Sequence, residues 1–353
     1  MNLDYLIIGQ GISGSLLAYH LIKYQKKILV IDDPKSNVST SVAAGIYNPI
    51  TGRRLVRTWN AHLLFPFLKK VYGELENILN VKFMHPVNIY RPFTSIAEQN
   101  DWMAKANDPM YRPFVVETKI GSDETYPVND PFGGVVIDQS GYIDLPKFLG
   151  SFCQYLTNES RLREEYFDDN DLEIHQHQVK YRDLVARKII FCDGTHIKSN
   201  QYFNWLPFRL VKGELIDLKS DVAIDNIIIR GIFVLPLGSN FYRVGATYDW
   251  ENQLLKTTDE ASIDLGQKFE ELTSVPYEVV GQQVGIRPTT KDRRPFIGLH
   301  PKFEPIGIFN GLGTKGISLA PYYAHQFVEY LENGRELDSE VNIARYFSLY
   351  YLK

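Results

Sequence analysis

A chain of 353 residues, 44% of them hydrophobic and 23% charged, has the composition of an ordinary globular protein and is long enough for two domains with their own cores. A formal net charge of -4 and a pI of about 6.1 exclude a general electrostatic attraction to polyanions, so nucleic acid is an unexpected partner. Only Cys153 and Cys192 are present, without metal-ligand spacing, and no apolar run approaches membrane-spanning length. A cytoplasmic protein without disulfides, metal or a membrane span is expected.

The run Tyr5–Ile8 in "DYLIIGQGISG" is apolar and stops at Gly9, which predicts a buried strand. Gly9, Gly11 and Gly14 follow at the G-x-G-x-x-G spacing, with Ile12 and Ser13 between the last two. "SLLAYHLIKY" then places Leu16, Leu17, Leu21 and Ile22 at helical intervals. In such a Rossmann turn Gly9 permits the tight bend, Gly11 clears the approach of a pyrophosphate and Gly14 lets helix and strand pack closely. The helix N-terminus offers unpaired N–H groups to the anion. A second strand, "KILVID", ends at Asp32, placed to accept from a ribose in preference to its neighbour Asp33. NAD and FAD both remain open at this point.

No second Rossmann half follows Asp32. A turn-rich passage instead carries Ala43, Ala44 and Gly45, where a backbone could approach a flat ligand closely, and long irregular passages within compact domains are usually functional. A helix is expected over residues 60–79, extended chain in "VKFMHPVNIYRPF" and "GGVVIDQSGYIDL", and a helix in "PKFLGSFCQYL" with Pro146 near its start. "KIIFCDG" reads as a buried parallel strand that rejoins the first sheet. Strand patterns dominate residues 206–248, with "GSN" as a hairpin turn. Thr257 and Glu260 have capping-box spacing ahead of the helix "ASIDLGQKFEEL". The C-terminal part reads as strand, loop, the strand "IGIFNG", the loop "LGTKG" and a final helix. The expected fold is α/β: a Rossmann-like nucleotide domain (residues 1–80, 138–205 and 284–353) with an inserted, mainly antiparallel substrate domain (81–137 and 206–283).

The second glycine-rich stretch, "NGLGTKGISLAP", again runs a strand into a helix N-terminus, where developing negative charge on a flavin would be stabilised. Arg287 closes an apolar strand in "VGIRPTTKDRRPFIG" and is followed by Pro288. Its guanidinium could grip a carboxylate bidentately or take part in a structural salt bridge. His175 and His177 have no further ligand nearby in sequence, so no metal site is expected.

Gly9, Gly11, Gly14 and Asp32, "AAG", the "CDG" of Cys192, Asp193 and Gly194, "VKGEL", "VLPLGSNFYRVGATYD", "GIRPTTKDRRPFIG" and "NGLGTKGISLAP" stand in the order seen in a known family. The whole chain resembles the D-amino acid oxidase-like flavoproteins, which include glycine oxidase, sarcosine oxidase and the oxidase domain of the bifunctional enzyme that modifies tRNA wobble uridine. The resemblance implies extended FAD, its adenosine at the first glycine loop and its flavin near Gly311, Gly313, Thr314, Lys315 and Gly316. It implies that Arg287 holds the carboxylate of a small amino acid or N-substituted glycine while hydride passes from the amine-bearing carbon to flavin N5. Oxygen or another acceptor would then reoxidise the cofactor. It also brings in Arg54 and Arg57 of "GRRLVRTW" as flavin-side candidates, which could equally be solvated charges or a phosphate clamp. Tyr242 and Tyr248 are candidates for aromatic walls or a hydroxyl contact. "TSVAAGIYNP" offers neither Cys nor His, so the FAD is expected to be non-covalent. Lys315 could tune the reaction with oxygen or simply face solvent. A flavin-dependent 2-hydroxy acid dehydrogenase, a tRNA side-chain oxidase and a non-catalytic flavin protein are the alternatives.

Overall fold

The computed structural model describes residues 1–33, 39–52, 54–122 and 126–352. The first strand, β1 (Asn2–Ile8), leads through the glycine turn into helix α1 (Ile12–Lys23) and strand β2 (Ile28–Asp32). β1 is the spine of an eight-stranded sheet, parallel to β2 on one side and to the strand Leu184–Phe191 on the other. "KIIFCDG" thus rejoins the first sheet as expected. The strand Ile306–Asn310 adds in parallel beyond it, Phe296–Leu299 pairs with that strand, and Leu162–Glu164 flanks β2.

Because successive side chains of a strand point to opposite faces, an uninterrupted apolar run needs a core on both sides. In β1, Tyr5 and Ile7 enter one core while Leu6 and Ile8 enter another. The first core is completed by α1 and the helices Ala61–Leu79, Leu145–Asn158 and Gly316–Asn333.

The second eight-stranded sheet runs in the order Glu278–Thr290, Phe208–Lys219, Phe241–Gly245, Ile232–Gly238, Ile227–Arg230, Ile89–Pro92, Gly134–Ile137 and Val115–Lys119. All its pairs are antiparallel except Ile227–Arg230 with Ile89–Pro92. Helix Asp259–Leu272 covers one face through Leu265, Phe269 and Leu272. The predicted "GSN" turn forms, with Ser239 and Asn240 both at positive φ, the geometry of the tightest hairpins.

Two local expectations shift. The stretch 226–237 is two strands hinged at Gly231, whose φ of +75° breaks the run. The cap of helix Asp259–Leu272 is Thr258, whose hydroxyl accepts from the Ala261 N–H, so Thr257 and Glu260 form no capping box. The turn-rich passage after Asp32 contains a short helix, Ser39–Val42, and a small hairpin, Ile50–Thr51 with Val56–Arg57; residues 34–38 of that passage lie outside the described part. Among the described residues no helix is long and apolar enough to cross a membrane.

Candidate functional site

The C-terminal ends of the parallel strands and the uncovered face of the second sheet enclose a cleft of about 870 Å³. That is within the range of roughly 300–1,000 Å³ usual for small-molecule and cofactor sites. Gly9, Gly11, Ile12 and Ser13 line one end. Gly9 has φ +99°, and a Cβ there would lie 2.6 Å from the Cys192 carbonyl oxygen. A Cβ on Gly14 would overlap the Gly9 carbonyl, so Gly14 serves helix packing and does not itself line the cleft. The first turn of α1 presents its N–H groups there, and Gly11 has no side chain to obstruct them.

Asp32 and Asp33 both line this end. The Asp32 carboxylate accepts from the Gln10 N–H at 2.8 Å, which fixes the glycine turn, and burial raises its pKa. Cys192, Asp193 and Gly194 stand beside Gly9 at the end of the neighbouring strand. The Cys192 thiol is buried, which holds it in the protonated form. Asp193 receives the side-chain amides of Asn310 at 3.0 Å and Asn200 at 3.4 Å, and burial pushes its carboxyl up to about 7.

Ala43, Ala44 and Gly45 also line the cleft. Of the second glycine stretch, Gly313, Thr314, Lys315 and Gly316 line the cleft too. Gly311 does not; at φ +77° it packs on Thr290, whose methyl would lie 2.6 Å from a Cβ. Helix Gly316–Asn333 starts here with no side-chain cap, leaving its N-terminal N–H groups facing the cavity. The Lys315 ammonium has its pKa lowered by burial and by Arg294 and Arg293.

At the far end Arg287 projects from the long strand over Gly213. Its Nη1 donates to the Thr247 carbonyl at 3.2 Å, and its guanidinium carbon lies 4.7 Å from the centre of the Tyr248 ring. Among the described residues no carboxylate pairs with it, and burial lowers its pKa. A half-buried guanidinium with a single carbonyl partner retains most of its donors for an incoming anion.

The remaining candidates separate. Tyr248 lines the cleft but is 59% exposed at its edge. Tyr242 is not at the cleft: it lies on the other face of the second sheet, where its hydroxyl donates to the Val222 carbonyl and accepts from the Ile224 N–H. The alternation of a strand turns Tyr242 and Val244 to the helix and Gly245 to the cavity. Arg54 and Arg57 also fall outside the lining; Arg54 is exposed and Arg57 sits in the small hairpin, of which Ile50, Thr51, Gly52 and Leu55 line the cleft. The structure adds Asn48, Phe233 and the loop 165–170 to the cleft. No motif spacing links these segments. Gly213 lay within the quoted "VKGEL", but its role depends on a partner strand seventy residues away.

The sequence model of DAO, FAD dependent oxidoreductase, matches residues 4–330. The chain belongs to this DAO family. An uncharacterized oxidoreductase of Bacillus subtilis, YurR, is 40% identical, covering 90% of this chain and 92% of its own length. The glycine oxidase of Bacillus subtilis is 25% identical with 90% of each chain covered. The tRNA 5-methylaminomethyl-2-thiouridine biosynthesis bifunctional protein MnmC of Leptospira borgpetersenii is 24% identical over 85% of this chain, which spans about half, 48%, of that protein's length. Among solved structures, glycine oxidase from Geobacillus kaustophilus shares the fold with a TM-score of 0.78 at 18% identity, 98% of each chain being covered.

The cleft of this DAO-family oxidoreductase fits FAD. Two helix N-termini at glycine turns face one cavity, an acid ends β2, and a Cβ on Gly9 would close the nearer turn.

Proposed function

We propose that the protein oxidises the C–N bond of an amino acid or N-substituted glycine, using non-covalent FAD. The observation that carries this reading is Arg287: a half-buried guanidinium that lines the cleft without a carboxylate partner among the described residues. Bound FAD would supply the acceptor for the hydride and its two electrons. Gly9, Gly11 and the start of α1 would hold the pyrophosphate, Asp32 the ribose, and Gly313 to Gly316 the flavin side. In this reading residues 1–80, 138–205 and 284–353 serve the cofactor, Arg287 excepted, and the remainder serves the substrate.

Arg287 fixes the plane of the substrate carboxylate, and Tyr248 shields that contact from water at the cleft edge. Orientation is then the main contribution of the protein. The acids that line the cleft, Asp32, Asp33, Glu165, Asp168, Asp169 and Asp193, all follow strands of the first sheet. Among the described residues no acid lines the cleft from the strand that carries Arg287 to serve as a base, which suits a substrate that enters as the neutral amine and disfavours a 2-hydroxy acid, whose hydroxyl proton needs an acceptor.

Arg287→Met is expected to raise the half-saturating substrate concentration about 100-fold, the worth of two charge-assisted hydrogen bonds at roughly 1.5 kcal/mol each, with FAD still bound. Steady-state kinetics of the holoprotein, alongside its flavin absorbance, decide this; unchanged kinetics remove Arg287 from the mechanism. Anaerobic reduction by substrate followed by air distinguishes oxygen from another acceptor. A second reading, a side chain carried on tRNA as the substrate, is supported by the likeness to MnmC. Its sign would be RNA binding that weakens steeply with salt.

A further inference from the structure

We propose that the substrate carries a neutral, apolar side chain larger than that of glycine, selected by Leu215, Phe233 and Ile229. This rests on the reading of Arg287 as the carboxylate anchor.

The register of the second sheet sets these residues in line. Arg287 stands opposite Val211, and its guanidinium lies over Gly213, where any Cβ would overlap it. Two residues further along the same strand, on the same face, is Leu215. Leu215 stands opposite Gly245, Gly245 opposite Phe233, and Phe233 opposite Ile229. Residues directly opposite in antiparallel strands share a face, so these four form one row across four strands. All four line the cleft.

Gly245 contributes no side chain, and its neighbours lean over it: a Cβ there would overlap Leu215 Cδ2 and lie 3.1 Å from the Phe233 ring. The row is therefore a continuous hydrocarbon floor. It begins one strand repeat, about 7 Å, from the glycine under the Arg287 guanidinium. That is the reach of a branched or aromatic side chain from its own carboxylate, and beyond the reach of glycine.

The charges beside the row do not call for a charged side chain. Among the described residues every acid lining the cleft stands at or after the end of a first-sheet strand and none on the strands of this row, so none of them is placed on the row to neutralise a basic side chain. Arg91 lines the cleft beyond Ile229, but Glu98 pairs with it at 2.9 Å and its Nη1 donates to the Pro92 carbonyl at 2.7 Å. That charge is already balanced and does not call for an acidic side chain.

The test is binding to the FAD-loaded protein, without turnover. Acetate, propionate, butyrate and isovalerate are titrated in turn while the flavin absorbance is followed, with succinate as the charged comparison. Each buried methylene is expected to lower the dissociation constant about fourfold, so isovalerate should bind about 60-fold more tightly than acetate. Phe233→Ala should shrink the gain per methylene, and succinate should bind more weakly than butyrate. Binding that is flat or that weakens with chain length overturns the apolar selection while leaving the anchor in place. If no carboxylate perturbs the flavin at all, the anchor falls and the selection with it. A substrate screen in which glycine or sarcosine reduces the flavin faster than leucine or phenylalanine would also overturn the selection.

Discussion

At Asp193 the folded protein keeps a proton that the unfolded chain has lost by neutral pH. The carboxyl is pushed from an ordinary 3.8 up to about 7 by burial. Below about pH 4 the group is protonated in both states and contributes nothing to the pH dependence. Between 4 and 7 the native state alone holds the proton, so stability falls as pH rises, and above 7 the penalty is constant. Asp193→Asn should therefore raise the melting temperature at pH 8 and leave it unaltered at pH 4. Equal shifts at both pH values would show that the effect comes from the amide contacts with Asn200 and Asn310 instead. Gly213→Ala tests the other end of the cleft, because the added methyl displaces the Arg287 guanidinium from its seat. It should raise the half-saturating substrate concentration at least tenfold with FAD retained; an unaffected value would place the productive position of Arg287 elsewhere. The two tyrosines show what spacing can reveal at this scale. Tyr242 and Tyr248 lie six residues apart, yet one fills a core and the other edges the cleft, because the strand turns Tyr242 to the helix face and ends before Tyr248.

Elements with a strong period were legible in the sequence. β1, α1 and β2 were, because apolar runs, helical spacing and glycines agree there; so were Ala61–Leu79 and Gly316–Asn333, each of which buries one broad face. Helix Ile96–Ala106 was not, since only Gln99 and Trp102 of it are buried and its polar surface gives no period, although Ser95 and Glu98 mark its start. The paired rows of the second sheet were also hidden, because register joins Leu215 to Phe233 only after both strands have found Phe241–Gly245. Arg287 was readable from its "GIRP" motif, although the strand runs on through Pro288 to Thr290 and does not close at Arg287 as expected, whereas Phe233 and Ile229 carry no motif. Helix Asp259–Leu272 depends on a cap that spacing placed one residue early. Thr258→Ala removes the hydroxyl that accepts from Ala261 and donates to Glu214, and should cost about 1–2 kcal/mol in urea unfolding, whereas Thr257→Ala should cost little.

For the molecule as a whole, acid is the vulnerable side. Burial lowers the pKa of His20 to about 3 and that of His300 to about 4, from 6.5 in an unfolded chain. As pH falls through 6.5 the unfolded state takes up two protons that the native state refuses, so stability declines, while Asp193 opposes this with one proton of the other sign. Chemical denaturation between pH 6 and 4.5 should show stability falling with pH more steeply, by about one proton, in Asp193→Asn than in the parent chain. The chain enters the first sheet at Asn2, the second at Ile89, the first again at Leu162, the second at Phe208 and the first once more at Phe296. Neither sheet is therefore a module that could be cloned, swapped or evolved by clean excision. A gene stopped after residue 205 would leave the strand Leu184–Phe191 without Ile306–Asn310, and Ile89–Pro92 without Ile227–Arg230. Altering its substrate range by engineering is therefore a matter of point changes and loop exchange within an uninterrupted chain.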